Sequence, residues 1–218
     1  WIKITVTDEV LKTSLVLGLG RYYKDARLLA RLLTEWSRDL AGSKRFVICS
    51  GGGGGIMEAA NRGAVDAGGS TIGFNIGLPH EQRPNPYVTP ALLFEFHYFF
   101  MRKLWFTHLA RALIVFPGGF GTLDEFMEML TLAQTQKLDR DILILLYGSE
   151  YWKEVINFDS LVKHGMIDAE DLNLIHRVDD VQTAFELLKN RLPKEKDAVC
   201  PAIAKAKFSK CRIEEATR

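Results

Sequence analysis

Two glycine-rich stretches carry the residue types needed to bind a phosphate and to act on the group attached to it. The first, residues 49–61, reads CSGGGGGIMEAAN, and the second, residues 116–126, reads FPGGFGTLDEF. Bare backbone N–H groups bind an anion well where a turn opens a helix. A carboxylate beside such a site needs another task, such as acid–base work or holding a sugar hydroxyl. The two stretches therefore predict a phosphorylated ligand.

The first stretch differs from the two common phosphate-binding motifs. No Lys-Ser/Thr pair follows the glycines, as a Walker A loop requires, and the third glycine of a dinucleotide fingerprint would fall at Ile56 or Met57. The alternative is tight packing between a strand and a helix, but packing rarely calls for five consecutive glycines. We therefore predict phosphate binding by this turn, which comprises Gly51, Gly52, Gly53, Gly54 and Gly55.

The second stretch adds polar side chains to a bare turn. Gly118, Gly119 and Gly121 leave the backbone open, and Thr122 either caps the following helix or hydrogen-bonds a phosphate oxygen. We expect Asp124 and Glu125 in the first helical turn. There, acids also stabilise the helix dipole by typically about 0.3–1 kcal/mol. That alternative explains an acid in the turn but does not require three glycines beside it.

The elements that position these stretches alternate between short apolar runs and amphipathic segments. Strands are predicted at residues 13–18, 45–50, 70–75, 112–117, 141–146 and, more weakly, 173–178. Helices are predicted at residues 22–41, 53–68, 95–110, 119–137, 149–163 and 179–192. The pattern predicts an α/β fold, a Rossmann-like doubly wound parallel sheet with helices on both faces. Ligands bind such sheets beyond the carboxyl ends of the strands, where the strand order reverses.

Composition predicts one cytoplasmic domain without a nucleic-acid or membrane partner. Lys and Arg total 28 against 27 Asp and Glu, so the basic footprint of a nucleic-acid binder is absent. No apolar run approaches the roughly 18 residues of a membrane span. The opening WIKITVTDEV lacks the pattern of a signal peptide, and three cysteines without metal-ligand spacing indicate ordinary thiols. We assign residues 1–193 to a single Rossmann-like nucleotide-binding domain and residues 194–218 to a tail or last helix.

Between about Ser14 and Lys137 the chain resembles the Lonely Guy (LOG) family, the cytokinin-activating phosphoribohydrolases and their bacterial relatives. PGGFGTLDE is similar to the family's PGGxGTxxE signature, and SGGGGGIMEAAN to its first glycine-rich motif. The family's Arg-Lys pair is matched by Arg102 and Lys103, with Arg102 lying 15 residues before Pro117. Many relatives are labelled "lysine decarboxylase", but no lysine here lies in a recognisable pyridoxal-phosphate context.

The resemblance implies cleavage of the N-glycosidic bond of a nucleoside 5′-monophosphate into free base and ribose 5-phosphate. Glu125 would stabilise the positive charge that develops at the sugar, or orient the attacking water, and Arg102 would hold phosphate or ribose oxygens or assist the departing base. The implied substrate-binding residues are Gly52, Gly53, Gly54, Gly55, Met57, Glu81, Lys103, Gly118, Gly119, Gly121 and Thr122. No metal or organic cofactor is implied, and family members are typically homodimers or larger homo-oligomers.

Two departures leave the released base open. Arg111 stands where plant-type members have an aspartate near the base pocket, and the family's first-strand loop is reduced to GLGR at residues 18–21, with Arg21 as its remnant. AMP or another purine monophosphate is therefore at least as good a candidate as a cytokinin riboside phosphate. The alternative class is a non-catalytic nucleotide or molybdenum-cofactor carrier of similar fold. A pure binder would not require Arg102 and Glu125 together.

Several other residues have a structural alternative of equal or greater weight. Glu81 falls where relatives place an acid near the ligand, but it is also explained as a solvated loop charge. Asn85 and its neighbouring prolines shape either a lid or a rigid loop, and His97 is either a ligand contact or a packed helix residue. For the aromatic belt at residues 94–106, core or dimer packing is the better default than stacking on a base.

Overall fold

The computed structural model describes residues 2–5, 20–40, 46–77, 83–138 and 140–192. Within these ranges the strands are β1 Ile2–Thr5, β2 Ile48–Ser50, β3 Thr71–Ile76, β4 Leu93–Phe96, β5 Ala112–Val115, β6 Leu143–Tyr147 and β7 Ile175–Val178. The helices are α1 Gly20–Asp39, α2 Ile56–Asp66, α3 Phe99–Leu109, α4 Phe120–Gln134, α5 Ser149–Val155, α6 Phe158–Lys163 and α7 Val181–Arg191. Two short 3₁₀ helices span Pro90–Leu92 and Ala169–Leu174.

The strands form one parallel sheet in the order β4-β3-β2-β1-β5-β6-β7. From β1 the chain builds outwards through β2, β3 and β4, and then returns to the other side of β1 with β5. The strand order therefore reverses between β1 and β5, which is the place where such sheets bind ligands. The predicted Rossmann-like, doubly wound α/β fold is confirmed.

Each face of the sheet is buried under its own helices, because successive side chains of a strand point to opposite faces. On one face Ile48 and Ile114 pack with residues of α1, α2 and α7. On the other face Leu113 packs with residues of α4, α5 and α6, while Cys49 packs under α3. Lys3 pairs in register with Cys49 and Leu113, so its side chain belongs to this second face.

Strand β1 occupies the centre of the sheet at residues where no strand was predicted. The predicted first strand, residues 13–18, and the tail, residues 194–218, lie outside the described residues. The run IKITV alternates apolar and polar residues, which is the signal of a strand. A parallel strand buried on both faces is normally apolar throughout, so the lysine in this run makes the strand hard to recognise from sequence.

Two helix predictions are wrong in their boundaries. The helix expected from residue 95 begins at Phe99, because Leu93–Phe96 pairs with β3 as strand β4. Phe94 and Phe96 both contact the Phe74 ring edge-on, with centroids 5.6 and 5.4 Å away, so tertiary packing favours the strand. The helix expected at residues 149–163 is divided into α5 and α6, and Asn157 caps α6 by accepting a hydrogen bond from the Ser160 N–H.

Candidate active site

The sheet order places both glycine-rich turns at one edge of the sheet. Residues 51–55 follow β2 and residues 116–119 follow β5, and both strands are hydrogen-bonded to β1. Because the carboxyl ends of parallel strands share an edge, the two turns lie on either side of the point where the strand order reverses. Two motifs that are distant in sequence thus border a single crevice.

Arg102 of α3 connects the two motifs. Its Nη2 lies 3.5 Å from Oε1 of Glu125, and its Nη1 lies 3.7 Å from the position that a Cβ atom would take at Gly51. Its Nε is buried and has no hydrogen-bond partner among the described residues. The structure therefore brings together the predicted catalytic pair and the first glycine turn.

Two cations bind the Glu125 carboxylate, one on each oxygen. Lys3 of β1 lies with its Nζ 2.8 Å from Oε2, opposite the Arg102 contact on Oε1. The three side chains are only 3% (Lys3), 14% (Arg102) and 11% (Glu125) exposed. Since ion pairs are screened little at such burial, they fix the orientation of the carboxylate. With all three groups ionised, one positive charge is in excess, which favours an anionic ligand.

Lys3 is the member of this cluster that the sequence analysis missed. Its Nζ lies 3.5 Å from the centroid of the Phe106 ring, and burial lowers the pKa of Lys3 while the Glu125 carboxylate opposes the shift. The sequence signal for Lys3 was a lysine inside a run of alternating apolar and polar residues. That signal points to the site only when this run is known to be the central strand of the sheet. Beside it, burial raises the pKa of the Cys49 thiol to about 12, so Cys49 is not a thiolate nucleophile at neutral pH.

Lys103 has carboxylate partners on α4. Its Nζ lies 2.6 Å from Oδ1 of Asp124 and 3.7 Å from Oε2 of Glu128. The hydrogen bond that Lys103 donates to the Asp124 carboxylate raises the pKa of Lys103. The Arg-Lys pair on α3 thus spans two neighbouring carboxylates of α4, with Arg102 on Glu125 and Lys103 on Asp124.

The start of α4 differs from two expectations. The helix begins at Phe120, so Asp124 and Glu125 lie in its second turn, and the helix-dipole explanation for them is wrong. Capping by Thr122 is also wrong, because Gly119 is the N-cap and no side chain caps the helix. Thr122 is fully buried against Gly118, and its Oγ1 has no hydrogen-bond partner among the described residues.

The first glycine turn adopts a backbone conformation that requires glycine at two positions. Gly52 has a φ of 75° and Gly55 has a φ of 67°, values that side chains strongly disfavour. Gly55 is the N-cap of α2 and has no side-chain cap, so the turn leads directly into the helix N-terminus. Met57 packs against Gly51, with its sulfur 2.6 Å from the position of a Cβ atom there.

The remaining candidates lie in different surroundings. Glu81 falls outside the described residues. His97 is exposed, whereas Asn85 is buried beside the first glycine turn, where its side chain donates to the carbonyls of Gly52 and Gly53. Arg21, at the start of α1, donates a hydrogen bond to the Tyr22 hydroxyl. Arg111 precedes β5 and is partly buried.

The aromatic belt divides between core and surface. Phe106 is buried under Lys3 and packs with the core around Phe74. We call the exposed part the aromatic surface; it comprises Phe94, Tyr98, Phe99, Phe100, Leu104 and Trp105. Its members are between 44% and 66% exposed.

Fold and site together define a Rossmann-like α/β protein with an ion-paired arginine and glutamate between two glycine-rich turns. In the described part of the chain, no three His, Cys, Asp or Glu side chains group as metal ligands. None of the helices there combines the length and the apolarity that crossing a membrane requires.

The family model described as "possible lysine decarboxylase" matches residues 57–188, more than half of the chain. The chain therefore belongs to this family, the Lonely Guy family that its motifs resemble.

Two curated relatives are named as phosphoribohydrolases. The cytokinin riboside 5′-monophosphate phosphoribohydrolase of Rhodococcoides fascians is 28% identical over 141 residues, which cover 63% of this chain and 68% of that protein. A rice protein (Oryza sativa subsp. japonica) with the same name, prefixed "probable", is 28% identical over 162 residues, which cover 73% of this chain and 65% of that protein. The alignments thus span about two thirds of the length of either relative.

One solved structure with the same fold is named as a carrier protein and not as a phosphoribohydrolase. The molybdenum cofactor carrier protein of Chlamydomonas reinhardtii superposes with a TM-score of 0.55 at 20% identity, covering 88% of this chain and 98% of that one. At this identity the likeness shows the fold alone, because similar folds serve different functions.

Proposed function

We propose that this protein hydrolyses the N-glycosidic bond of a nucleoside 5′-monophosphate and releases the free base and ribose 5-phosphate. The observation that carries the proposal is the position of Arg102, whose guanidinium lies beside both Glu125 and Gly51. One crevice thereby offers groups that can bind a phosphate and a carboxylate that can act on the attached sugar. The names of the curated relatives support the same reaction.

The chemistry follows from the charge that develops on the sugar. An N-glycosidic bond breaks through an oxocarbenium-like transition state, so positive charge appears at the anomeric carbon. Glu125 stabilises that charge or orients the attacking water, and its two ion pairs hold the carboxylate in a fixed geometry before the reaction. The glycine turns bind the 5′-phosphate, and this remote binding energy positions the reacting carbon. Arg102 binds phosphate or ribose oxygens or assists the departing base.

Two observations bear on which base is released. The curated relatives are named for cytokinin riboside 5′-monophosphates. In this chain Arg111 stands in place of an acid that lies close to the base pocket of plant-type members. We therefore include AMP and other purine monophosphates among the candidate substrates.

The test is release of ribose 5-phosphate from a panel of nucleoside monophosphates, each compared with its unphosphorylated nucleoside. We expect release from at least one purine monophosphate and at least about 100-fold lower kcat/KM for the nucleoside, because the phosphate contacts are lost. Equal rates for the two would contradict the role of the glycine turns. Tight nucleotide binding without any release would contradict hydrolysis and favour a carrier.

We also propose that the protein is a homodimer or larger homo-oligomer that forms through the aromatic surface. Soluble monomers rarely expose contiguous apolar patches of this kind, and α3 and β4 contribute five of the six side chains of the aromatic surface. Because α3 also carries Arg102 and Lys103, this contact would lie near the active site.

Charges on the aromatic surface are expected to dissociate the oligomer. The double variant Phe100→Asp, Leu104→Asp places two like charges that would be buried unpaired at the contact, so the molar mass from sedimentation equilibrium should fall to that of one chain. Met166→Asp is the matched control, since Met166 is 69% exposed and lies outside this surface. An unchanged mass in the double variant, or an equal fall in the control, would contradict the proposed interface.

A further inference from the structure

A buried polar network lies beside the first glycine turn. Its side chains are those of Ser50, Asn61, Thr71 and Asn85, and none of the four is more than 7% exposed. They come from the end of β2, from α2, from the start of β3 and from the segment that precedes β4. Buried polar groups are costly unless they are hydrogen-bonded, so such a network fixes one arrangement of the chain.

Asn85 donates to the backbone of the glycine turn itself. Its Nδ2 lies 3.1 Å from the carbonyl oxygen of Gly52, 2.8 Å from that of Gly53 and 2.9 Å from Oδ1 of Asn61. Its backbone N–H also donates to the Gly52 carbonyl, at 2.7 Å. The Asn85 Oδ1 accepts from the N–H of Tyr87, which closes a local turn in its own segment. One side chain thus holds two consecutive peptide groups of the glycine turn.

Asn61 determines the orientation of the Asn85 side-chain amide, that is, which side its nitrogen and its oxygen face. The Asn61 Nδ2 faces the Ile72 carbonyl and the Thr71 hydroxyl, so its Oδ1 is turned towards the Ser50 hydroxyl and Asn85. Backbone carbonyls and this Oδ1 can only accept, which means that the Asn85 amide must present its nitrogen. The network therefore permits a single orientation of both amides.

Because of the geometry of the peptide bond, the hydrogen bonds from Asn85 also determine the direction of the N–H groups on the opposite side of the turn. In a planar trans peptide the C=O and the following N–H point in opposite directions. Since Asn85 holds the carbonyl oxygens of Gly52 and Gly53, the N–H groups of Gly53 and Gly54 point away from Asn85. These are N–H groups of the turn that opens α2, where an anion is bound most favourably.

We propose that Asn85 is a positioning residue for anion binding. Its amide fixes two peptide groups of the first glycine turn so that the N–H groups of Gly53 and Gly54 donate to a phosphate. The identity of that phosphate, the 5′-phosphate of a nucleotide, rests on the proposed function. Asn85 itself acts through the turn and does not contact the ligand.

Binding of ribose 5-phosphate, measured by titration calorimetry, tests this role without any need for turnover. For Asn85→Ala we expect the dissociation constant to rise by at least about ten-fold, because the two carbonyls lose their donor and the N–H groups lose their fixed direction. In Thr89→Val the same segment loses a different hydrogen bond, that between the Thr89 hydroxyl and the Thr71 N–H, without any change to the glycine turn. We expect this control to bind ribose 5-phosphate as the wild type does.

A measurement on the wild-type protein covers the case in which Asn85→Ala does not fold. With glycine selectively ¹⁵N-labelled, the amide signals of Gly53 and Gly54 should shift on addition of ribose 5-phosphate but not of ribose. Unshifted signals, unchanged affinity in a folded Asn85→Ala protein, or equal weakening in Thr89→Val would each overturn the proposal. If the protein binds ribose 5-phosphate in an Asn85-dependent way but releases none from any nucleotide, the proposed hydrolysis fails and the role of Asn85 stands.

Discussion

Replacing Glu125 with glutamine is expected to lower kcat/KM for ribose 5-phosphate release by about 10³-fold, or about 4 kcal/mol of transition-state stabilisation. Glutamine keeps the size of the side chain but removes the negative charge that opposes the developing positive charge at the sugar. Nucleotide binding should persist, because the phosphate contacts assigned to the glycine turns remain. The measurement is steady-state release of ribose 5-phosphate, combined with a separate measurement of nucleotide affinity.

Asp124→Asn is the matched control for this variant. Asp124 is the preceding residue of α4, is half exposed and pairs with Lys103 rather than Arg102. Its loss should change kcat/KM by less than about three-fold, since an exposed ion pair contributes roughly 0–1 kcal/mol. If Glu125→Gln retained activity, or if the two variants lost activity equally, the reaction would not depend on the carboxylate between Lys3 and Arg102.

The largest expected effect on stability is that of Gly63→Ala. Gly63 lies in the interior of α2, and a Cβ atom there would overlap the backbone carbonyl oxygen of Arg27 in α1 and lie 3.0 Å from the Ala30 Cβ. Neither atom can move without the helix that carries it, so α1 and α2 must separate. We expect the free energy of unfolding to fall by about 3 kcal/mol. That loss would lower Tm by roughly 6–12 °C.

The sign of this change separates packing from helix propensity. Alanine is favoured over glycine by about 0.8–1.0 kcal/mol in a helix interior, so propensity alone predicts that Gly63→Ala stabilises the protein. Gly20→Ala serves as the control, because Gly20 is the first residue of α1 and no atom of the described residues lies within 4 Å of its Cβ position. Chemical denaturation of both variants gives the comparison. A stabilised Gly63→Ala protein would show that the two helices are not in such close contact.

The sequence by itself determined the fold class and the composition of the candidate site. Short apolar runs that alternate with amphipathic helices identify a parallel sheet, because each strand must be covered on both faces. The two glycine turns and Glu125 were found from local patterns, and Arg102 from the resemblance to the Arg-Lys pair of the Lonely Guy family. Turn and helix signals depend on neighbouring residues, and the sequence contains that information directly.

Tertiary structure decided which other residues join the site. Lys3 lies on a central strand whose partners, β2 and β5, are far along the chain, and its contact with Glu125 follows from that pairing. Asn85 is read as a loop residue until the fold buries it against Gly52 and Gly53. Strand β4 likewise forms where the local pattern predicted a helix, because it pairs with β3.

The physical reason is the range of the interactions involved. A helix or a turn is formed by contacts within a few residues, so its pattern is legible in the chain. Strand order, register and the burial of a polar side chain depend on contacts between distant segments, and their energies are decided only when the whole sheet assembles. The sequence therefore identifies the glycine turns and the catalytic candidates, and the assembled sheet adds the lysine and the asparagine that hold them in place.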